Sequence, residues 1–363
     1  MNNPQLADIF LKVAGIEGLS GKEKNVASFV KSFLNELNLY VTEDGSSQKT
    51  GSNTGNIICK FGNGSDMLLS CHMDTARSTG HLVPVIKSDR ITSDGNSVLG
   101  VDNRVGVTLL LALAEKIVIE RIAHKDFTLA FVTCEETTLA GSENLEIDNN
   151  IKKAIVFDSY MRPGKYIAAS VGAAGYKIKV LGKAAHSGID PEKGINALQI
   201  AVQAVNKINL GRINDSTTSN IGIINGGTAT NVIPDLIEMS GEVRSKNTDE
   251  VQKHVEEIKC VFEQTAIAGN GKVEFEWSWD FMPFCLATNS EVIRDVENAI
   301  YRAYLKPERV LSYGGSDANS YNGRGIEAVN IGIGAQNPHS NEEFILLEDL
   351  DNAFQIALEL IKK

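Results

Sequence analysis

Long apolar runs, basic blocks and paired-cysteine motifs are all missing from this chain of 363 residues. Its most apolar stretch, "VGVTLLLALA" at 105–114, is too short to cross a bilayer. With no lysine- or arginine-rich block and a formal net charge of -11, a nucleic-acid surface is not expected. The opening "MNNPQLADIFLKVAG" lacks the basic-then-apolar layout of a secretory signal. Five cysteines, Cys59, Cys71, Cys134, Cys260 and Cys285, show no CxxC spacing, which suits buried reduced thiols in the cytoplasm better than a disulfide framework. The acidic balance favours solubility and does not identify a substrate.

What is present reads as a globular α/β chain with material for about two domains. "GLSGKEKNVASFVKSFLNELNL" has apolar Val26, Val30, Phe33 and Leu37 at helical spacing with Ser20 as N-cap. "NTGNIICKFG" and "DMLLSCHMDTA" read as strands around the turn "GNGS", and "DFTLAFVTCEE" and "KKAIVFDS" as buried strands. These alternate with the apolar helix "VGVTLLLALAEKIVIE", the pattern of a mixed, mostly parallel sheet.

From about residue 175 the order becomes βαββαβ, a ferredoxin-like split arrangement ending in "GKVEFEWSWDF". After it, "EVIRDVENAIYRAYLK", "EAVNIGIG" and "LEDLDNAFQIALELIKK" return to the earlier style. The expected organisation is therefore a discontinuous main domain, 1–173 and 284–363, with residues 174–283 inserted.

Candidate chemistry collects at strand ends. "CHMDTA" places His72 and Asp74 at i, i+2, on one face of a strand, so that the carboxylate can take the imidazole's second N–H. Asp102 precedes the apolar helix, Asp158 closes "IVFDS", and His339 follows the last expected strand through a Pro turn. In "FVTCEETTLAGS", Glu135 and Glu136 are adjacent; alone, they read as acids opening a helix. Taken singly, His72–Asp74 is an ordinary surface pair and Asp102 an ordinary helix-start acid. Together, all six fall at or just beyond the C-terminal ends of expected strands, where open α/β sheets bind ligands. Two histidines and several carboxylates make a mixed N/O donor set suited to zinc, manganese or cobalt.

"CHMDTA", "VLGVDNRVG", "CEETTLAGS", "GKAAHSGIDPEKGINAL", "GGTATNVIPD", "GEVRS", "GGSDANSYNGRG" and "NPHSNEE" stand in an order that resembles the M20 family of dizinc aminoacylases and peptidases, especially its tripeptide-aminopeptidase branch. The motifs run from residue 71 to 343. The resemblance implies a zinc domain interrupted by a ferredoxin-like lid, and a homodimer formed through that lid. It also implies two divalent metals bridged by Asp102, one held by His72 and Asp158, the other by Glu136 and His339. Three carboxylates and a hydroxide would balance the four positive charges. Glu135 is left as general base and Asp74 as the residue orienting His72.

From the lid, the resemblance makes His186 a donor to the carbonyl oxyanion, from the neighbouring subunit or on lid closure. It makes Arg244 and Asn231 holders of the substrate's carboxylate end and backbone. The plainer readings are a turn histidine for His186 and a strand-end salt bridge for Arg244. His81, His124 and His254 match no motif and read as structural or exposed.

One departure stands out. Where the family often has a second Asp after the bridging one, commonly across a cis peptide bond, this chain has Asn103 followed by Arg104. The expected activity is hydrolysis of short peptides, with N-acyl-amino-acid deacylation or carboxypeptidase action as the alternative on the same metals. A non-catalytic scaffold is disfavoured by the retention of both glutamates. "GIGAQN" lacks the third glycine of a dinucleotide fingerprint.

Overall fold

The computed structural model describes residues 4–63 and 66–363. The chain divides into two compact units, one comprising Met1–Ala169, Cys285–Ser312 and Ser316–Lys363, the other Ser170–Phe284 and Tyr313–Gly315. The expected "GNGS" turn contains Gly64 and Ser65, which lie outside the described residues.

The first unit is built on a mixed sheet. Its central strands are, in spatial order, Phe127–Val132, Met67–His72, Lys153–Ser159 and Glu327–Gly332, all mutually parallel. Ile57–Phe61 joins antiparallel beside Phe127–Val132, and Lys165–Ser170 pairs antiparallel with Glu327–Gly332. The two innermost strands are buried at every position, as the continuous apolar runs of a sheet covered on both faces require. The helix Val101–Glu120 is buried around most of its circumference, which explains why its sequence shows no polar face.

Four local features differ from the sequence reading. A helix, Pro4–Ala14, precedes the first one expected. A small antiparallel sheet joins Pro84–Ile86, Arg90–Ser93 and Phe344–Leu346, strands too short to carry a periodic signal. Ser20 is not the N-cap of Lys24–Glu36; Glu23 occupies that position, while the Ser20 hydroxyl lies 3.0 Å from that of Thr137. Of the cysteines, Cys59, Cys71 and Cys134 are buried and free, but Cys260 and Cys285 are free and exposed.

The second unit is a ferredoxin-like sandwich. Its strands Thr218–Gly226, Leu236–Ser245, Gly172–Leu181 and Lys272–Phe281 are antiparallel neighbours in that order, with the short Gly211–Arg212 at one edge. Helices Ala197–Val205 and Thr248–Ala268 cover one face. Ile178, Val180, Ile237 and Met239 meet Ile200, Val255, Ile258 and Phe262 in the core. The period-2 alternation of Lys272–Phe281, exposed at even positions and half-buried at odd ones, follows directly.

The end of Phe127–Val132 is tied down by Asn56, which accepts the Thr133 N–H (3.0 Å) and donates to the Gly141 carbonyl (2.9 Å). A Cβ on Gly141 would collide with the Thr133 backbone. Gly141→Ala is therefore expected to cost about 1–3 kcal/mol through overpacking, read as a lower urea midpoint with an unchanged m-value.

Candidate dimetal active site

The parallel strand order brings together what the sequence left separate. His72 ends one central strand, Glu135 and Glu136 follow the next, Asp158 closes a third and His339 lies beyond the fourth. Adjacent parallel strands in register present their C-terminal ends at one edge: His72 pairs with Val132, Ser70 with Val156 and Ile331 with Phe157. Asp102 enters at the start of Val101–Glu120, where it has non-helical φ/ψ (-95, 103) after Gly100 in the left-handed region.

Two donor triads result: His72, Asp102 and Asp158; and Asp102, Glu136 and His339. Within each, the potential ligand atoms lie within 4.8 Å of one another. Asp102 belongs to both, its Oδ1 3.0 Å from His72 Nε2 and its Oδ2 3.4 Å from His339 Nε2. Asp158 Oδ1 is 3.2 Å from His72 Nε2, and Glu136 Oε2 is 3.0 Å from His339 Nε2. Among the described residues no lysine or arginine forms an ion pair with these three carboxylates. A buried anionic cluster with imidazoles and no fixed cation fits divalent metal ions, and its N/O donors fit zinc, manganese or cobalt.

The two glutamates are held differently. Glu136 faces His339 and accepts the Ala76 N–H at 3.1 Å. Glu135 Oε2 stands 4.0 Å from His72 Nε2, beyond hydrogen-bond reach. Both backbone N–H groups donate to the wholly buried carboxylate of Asp74, at 3.1 Å each. Asp74 Oδ1 is also 3.4 Å from His72 Nδ1, leaving Nε2 to face the cluster.

Burial pushes the Glu135 carboxyl well above the ordinary range; Asp158, Asp317 and Glu136 add to that, and His72 opposes it. Burial also favours a neutral Asp74, but His72, the Glu136 N–H and Ser20 together hold it below its usual value. For His72, burial is outweighed by Glu135 and by Asp102, Asp158 and Asp74, which raise it well above 6.5. Asp102, then Glu136, push His339 up to about 10.

Several supporting residues escaped the sequence reading. Glu343, 2% exposed, accepts the His339 N–H at 2.7 Å through Oε1 and the Gly100 N–H at 2.6 Å through Oε2. It thus joins the backbone of one ligand to the turn that presents another. Asn330 donates to Asp158 Oδ2 (3.2 Å); an amide inside the apolar "EAVNIGIG" was its available signal. Glu23 accepts the Cys134 N–H at 3.0 Å, just before Glu135. Buried Arg104 donates to the carbonyls of Met73 and Ile16, and burial brings it down to about 10 against the opposing charges of Asp74, Glu17 and Glu23. Asp317, in the quoted "GGSDANSY", is wholly buried, and burial raises it to about 7.

Asn103 is buried beside a cis Asp102–Asn103 bond. Its Nδ2 donates to the Phe157 carbonyl (2.8 Å) and its Oδ1 accepts the Gly106 N–H (2.9 Å). A carboxylate cannot donate to that carbonyl, so the neutral amide suits this pocket.

His186, Asn231 and Arg244 belong to the second unit. His186 pairs with Val232 in an isolated antiparallel bridge, where the Ser187 N–H donates to the Asn231 carbonyl at 2.9 Å. The Gly188 N–H donates to His186 Nδ1 at 3.2 Å, so the proton of a neutral ring sits on Nε2. Arg244 is held by Glu242, Nε to Oε1 and Nη2 to Oε2 at 2.9 Å each, while Nη1 donates to the Tyr313 carbonyl. Of the unassigned histidines, His254 bonds the Asn209 carbonyl, His124 packs on Phe61 and Phe127, and His81 is exposed.

Residues 168–270 match the M20 peptidase dimerisation domain, and residues 56–200 match peptidase family M28. The fold resembles a crystal structure of aminopeptidase PepT from Bacillus cereus ATCC 10987, with TM-score 0.89 and 29% identity, covering 99% of this chain and 97% of that one. It also resembles a tripeptidase from Staphylococcus aureus subsp. aureus Mu50, with TM-score 0.93 and 27% identity, covering 100% and 98%. Peptidase T of Clostridium perfringens strain SM101 is 23% identical over 86% of this chain and 78% of its own length.

Two outcomes follow from this geometry. Because His72 and His339 must shed protons to bind metal, affinity should fall by about tenfold per pH unit for each imidazole as pH drops from 8 to 6; calorimetry in buffers of different ionisation enthalpy would show proton release on metal uptake. Asn103→Asp should destabilise the chain by about 1–3 kcal/mol, more at pH 8 than at pH 5, because only a protonated Asp can replace the donor.

Proposed function

We propose that this chain, an M20-type metallopeptidase similar to peptidase T, hydrolyses short peptides as a tripeptide aminopeptidase. The observation that carries this reading is the pair of triads sharing Asp102, with Glu135 beside them and outside both. His72, Asp102 and Asp158 would hold one divalent ion, and Asp102, Glu136 and His339 the other. Zinc suits the donors, and manganese or cobalt would also fit. Bound there, the two ions would supply Lewis acidity, lowering the pKa of a water and polarising the scissile carbonyl.

The chain's own residues divide the remaining work. Glu135 takes a proton from the attacking water and passes it to the departing amine. Asp74 holds His72 with Nε2 turned inward and fixes the turn that carries both glutamates. His186, with its proton on Nε2, donates to the developing oxyanion. Asn231 bonds the substrate backbone, and Arg244 receives its carboxylate through N–H groups left by Glu242 and Tyr313.

In this reading residues 1–173 and 284–363 form the catalytic domain, and 174–283 a lid that also pairs two subunits. The matched dimerisation domain supports that pairing. A cytoplasmic setting is consistent with five free thiols, and no helix among the described residues is long and apolar enough to cross a membrane. The deacylase reading uses the same metals and differs in the pocket for the amine.

On metal-loaded protein, tripeptides with a free amine should be cleaved and their N-acetyl forms spared; cleavage of the acylated forms alone would transfer the assignment to a deacylase. Glu135→Gln should lower kcat by about 10²–10⁴-fold while both metals remain bound by elemental analysis.

A further inference from the structure

Beside the second triad lies a cavity of about 430 Å³ that no part of the proposed reaction uses. It lies wholly within the first unit, lined by Arg77, Ser78, His81, Asn96 and Ser97 over an apolar floor of Leu19 and Val98. Its wall is the segment that follows "CHMDT". There the Ala76 N–H donates to Glu136 Oε1 at 3.1 Å, and Arg77 Nη1 donates to the His339 carbonyl at 3.2 Å. The cavity therefore begins one residue from two of the proposed metal ligands.

Its polar groups are not spent on one another. Arg77 is exposed, and among the described residues no carboxylate pairs with it. Ser97 is only 8% exposed and borders the cavity with its hydroxyl buried beneath the surface, so the donors open to a ligand are those of Arg77 and His81. Besides Glu136, carboxylates near this wall have other partners: Glu17 takes the Ser78 hydroxyl (3.0 Å), and Asp94 takes the Asn96 amide (2.8 Å).

An exposed guanidinium with open N–H donors and an exposed imidazole lining the same cavity form a receptor for a planar anion. We propose that this cavity is a subsite for a carboxylate of the peptide substrate, with Arg77 as its principal ligand and His81 completing it. The carboxylate is an acidic side chain, since the peptide's C-terminus is the group that Arg244 would receive. The inference rests on the peptide-hydrolysis reading above and makes that reading specific about substrate.

The test is a kinetic panel on the metal-loaded full chain. Tripeptides carry Glu, Gln or Ala at one position at a time, each with a free or amidated C-terminus. At one position the Glu peptide should exceed its Gln counterpart by roughly 10- to 100-fold in kcat/KM. Arg77→Gln should bring that ratio close to one, with Arg77→Lys restoring part of it. Because Arg77 also touches the His339 carbonyl, a loss shared by every peptide would report disturbance of His339, whereas the ratio reports the subsite. A Glu preference that persists when the C-terminus is amidated upholds the acidic side chain as occupant; an amidation penalty that Arg77→Gln abolishes would put the C-terminus here instead and overturn the proposal. A charged-to-amide ratio that is near one in the wild type, or unchanged in Arg77→Gln, overturns the proposal. If the wild type cleaves no peptide, the hydrolytic reading fails, and calorimetric titration of the same metal-loaded chain with glutarate still judges the subsite. Weaker glutarate binding in Arg77→Gln, partly restored in Arg77→Lys, upholds it, and equal binding refutes it.

Discussion

One buried carboxylate organises the candidate site. Asp74 has no exposed surface, yet it accepts the backbone N–H groups of both Glu135 and Glu136 and faces Nδ1 of His72, the nitrogen turned away from the cluster. An ionised group in such a place is stable only when nearly every lone pair is used and a cation is near. The peptide N–H groups meet the first need, and His72 and Arg104 serve the second. The distance between the His72 strand and the Cys134–Glu136 turn is consequently set by hydrogen-bond lengths.

Around that anchor the chain accepts an electrostatic arrangement that folding alone would disfavour. Glu135, Glu136, Asp102, Asp158 and Asp317 share a confined region, and burial raises four of them, with mutual repulsion adding to each. Asp102 goes the other way, because its contacts with two imidazoles outweigh its burial. Local conflict of this kind marks sites built for a ligand rather than for stability. The surrounding framework holds the conflict in place. Glu343 fixes the backbones at Gly100 and His339, Asn330 fixes Asp158, and Glu23 fixes the residue before Glu135.

Much of the architecture was legible because its signals are local. A buried parallel strand must be apolar throughout, and a helix or strand packed on one face must repeat its apolar residues at its own period. The helix expected at "TDEVQKHVEEIKCVFEQTAIA" is observed as Thr248–Ala268, and the alternating closing strand as Lys272–Phe281. The candidate residues were legible for a related reason, since polar groups ending apolar strands need compensation. Glu343 offered no such signal: it is one acid in a polar loop, and only its two backbone partners reveal its place. Ser20 misled because a serine before a helical pattern resembles a cap whether or not its hydroxyl turns to that helix.

By itself, then, the sequence determined most of the segments that become strands and helices and which acids and histidines end the apolar runs. Each of those properties depends on neighbours a few residues away. Tertiary structure alone decided that the four relevant strands lie side by side, that Asp102 stands between His72 and His339, and that Glu136 is engaged while Glu135 is not. It also decided that Arg77 and Ser97 line one cavity. These are relations between residues tens to hundreds of positions apart, set by strand order and by shared buried hydrogen bonds. Local periodicity carries no information about which strand will be a neighbour.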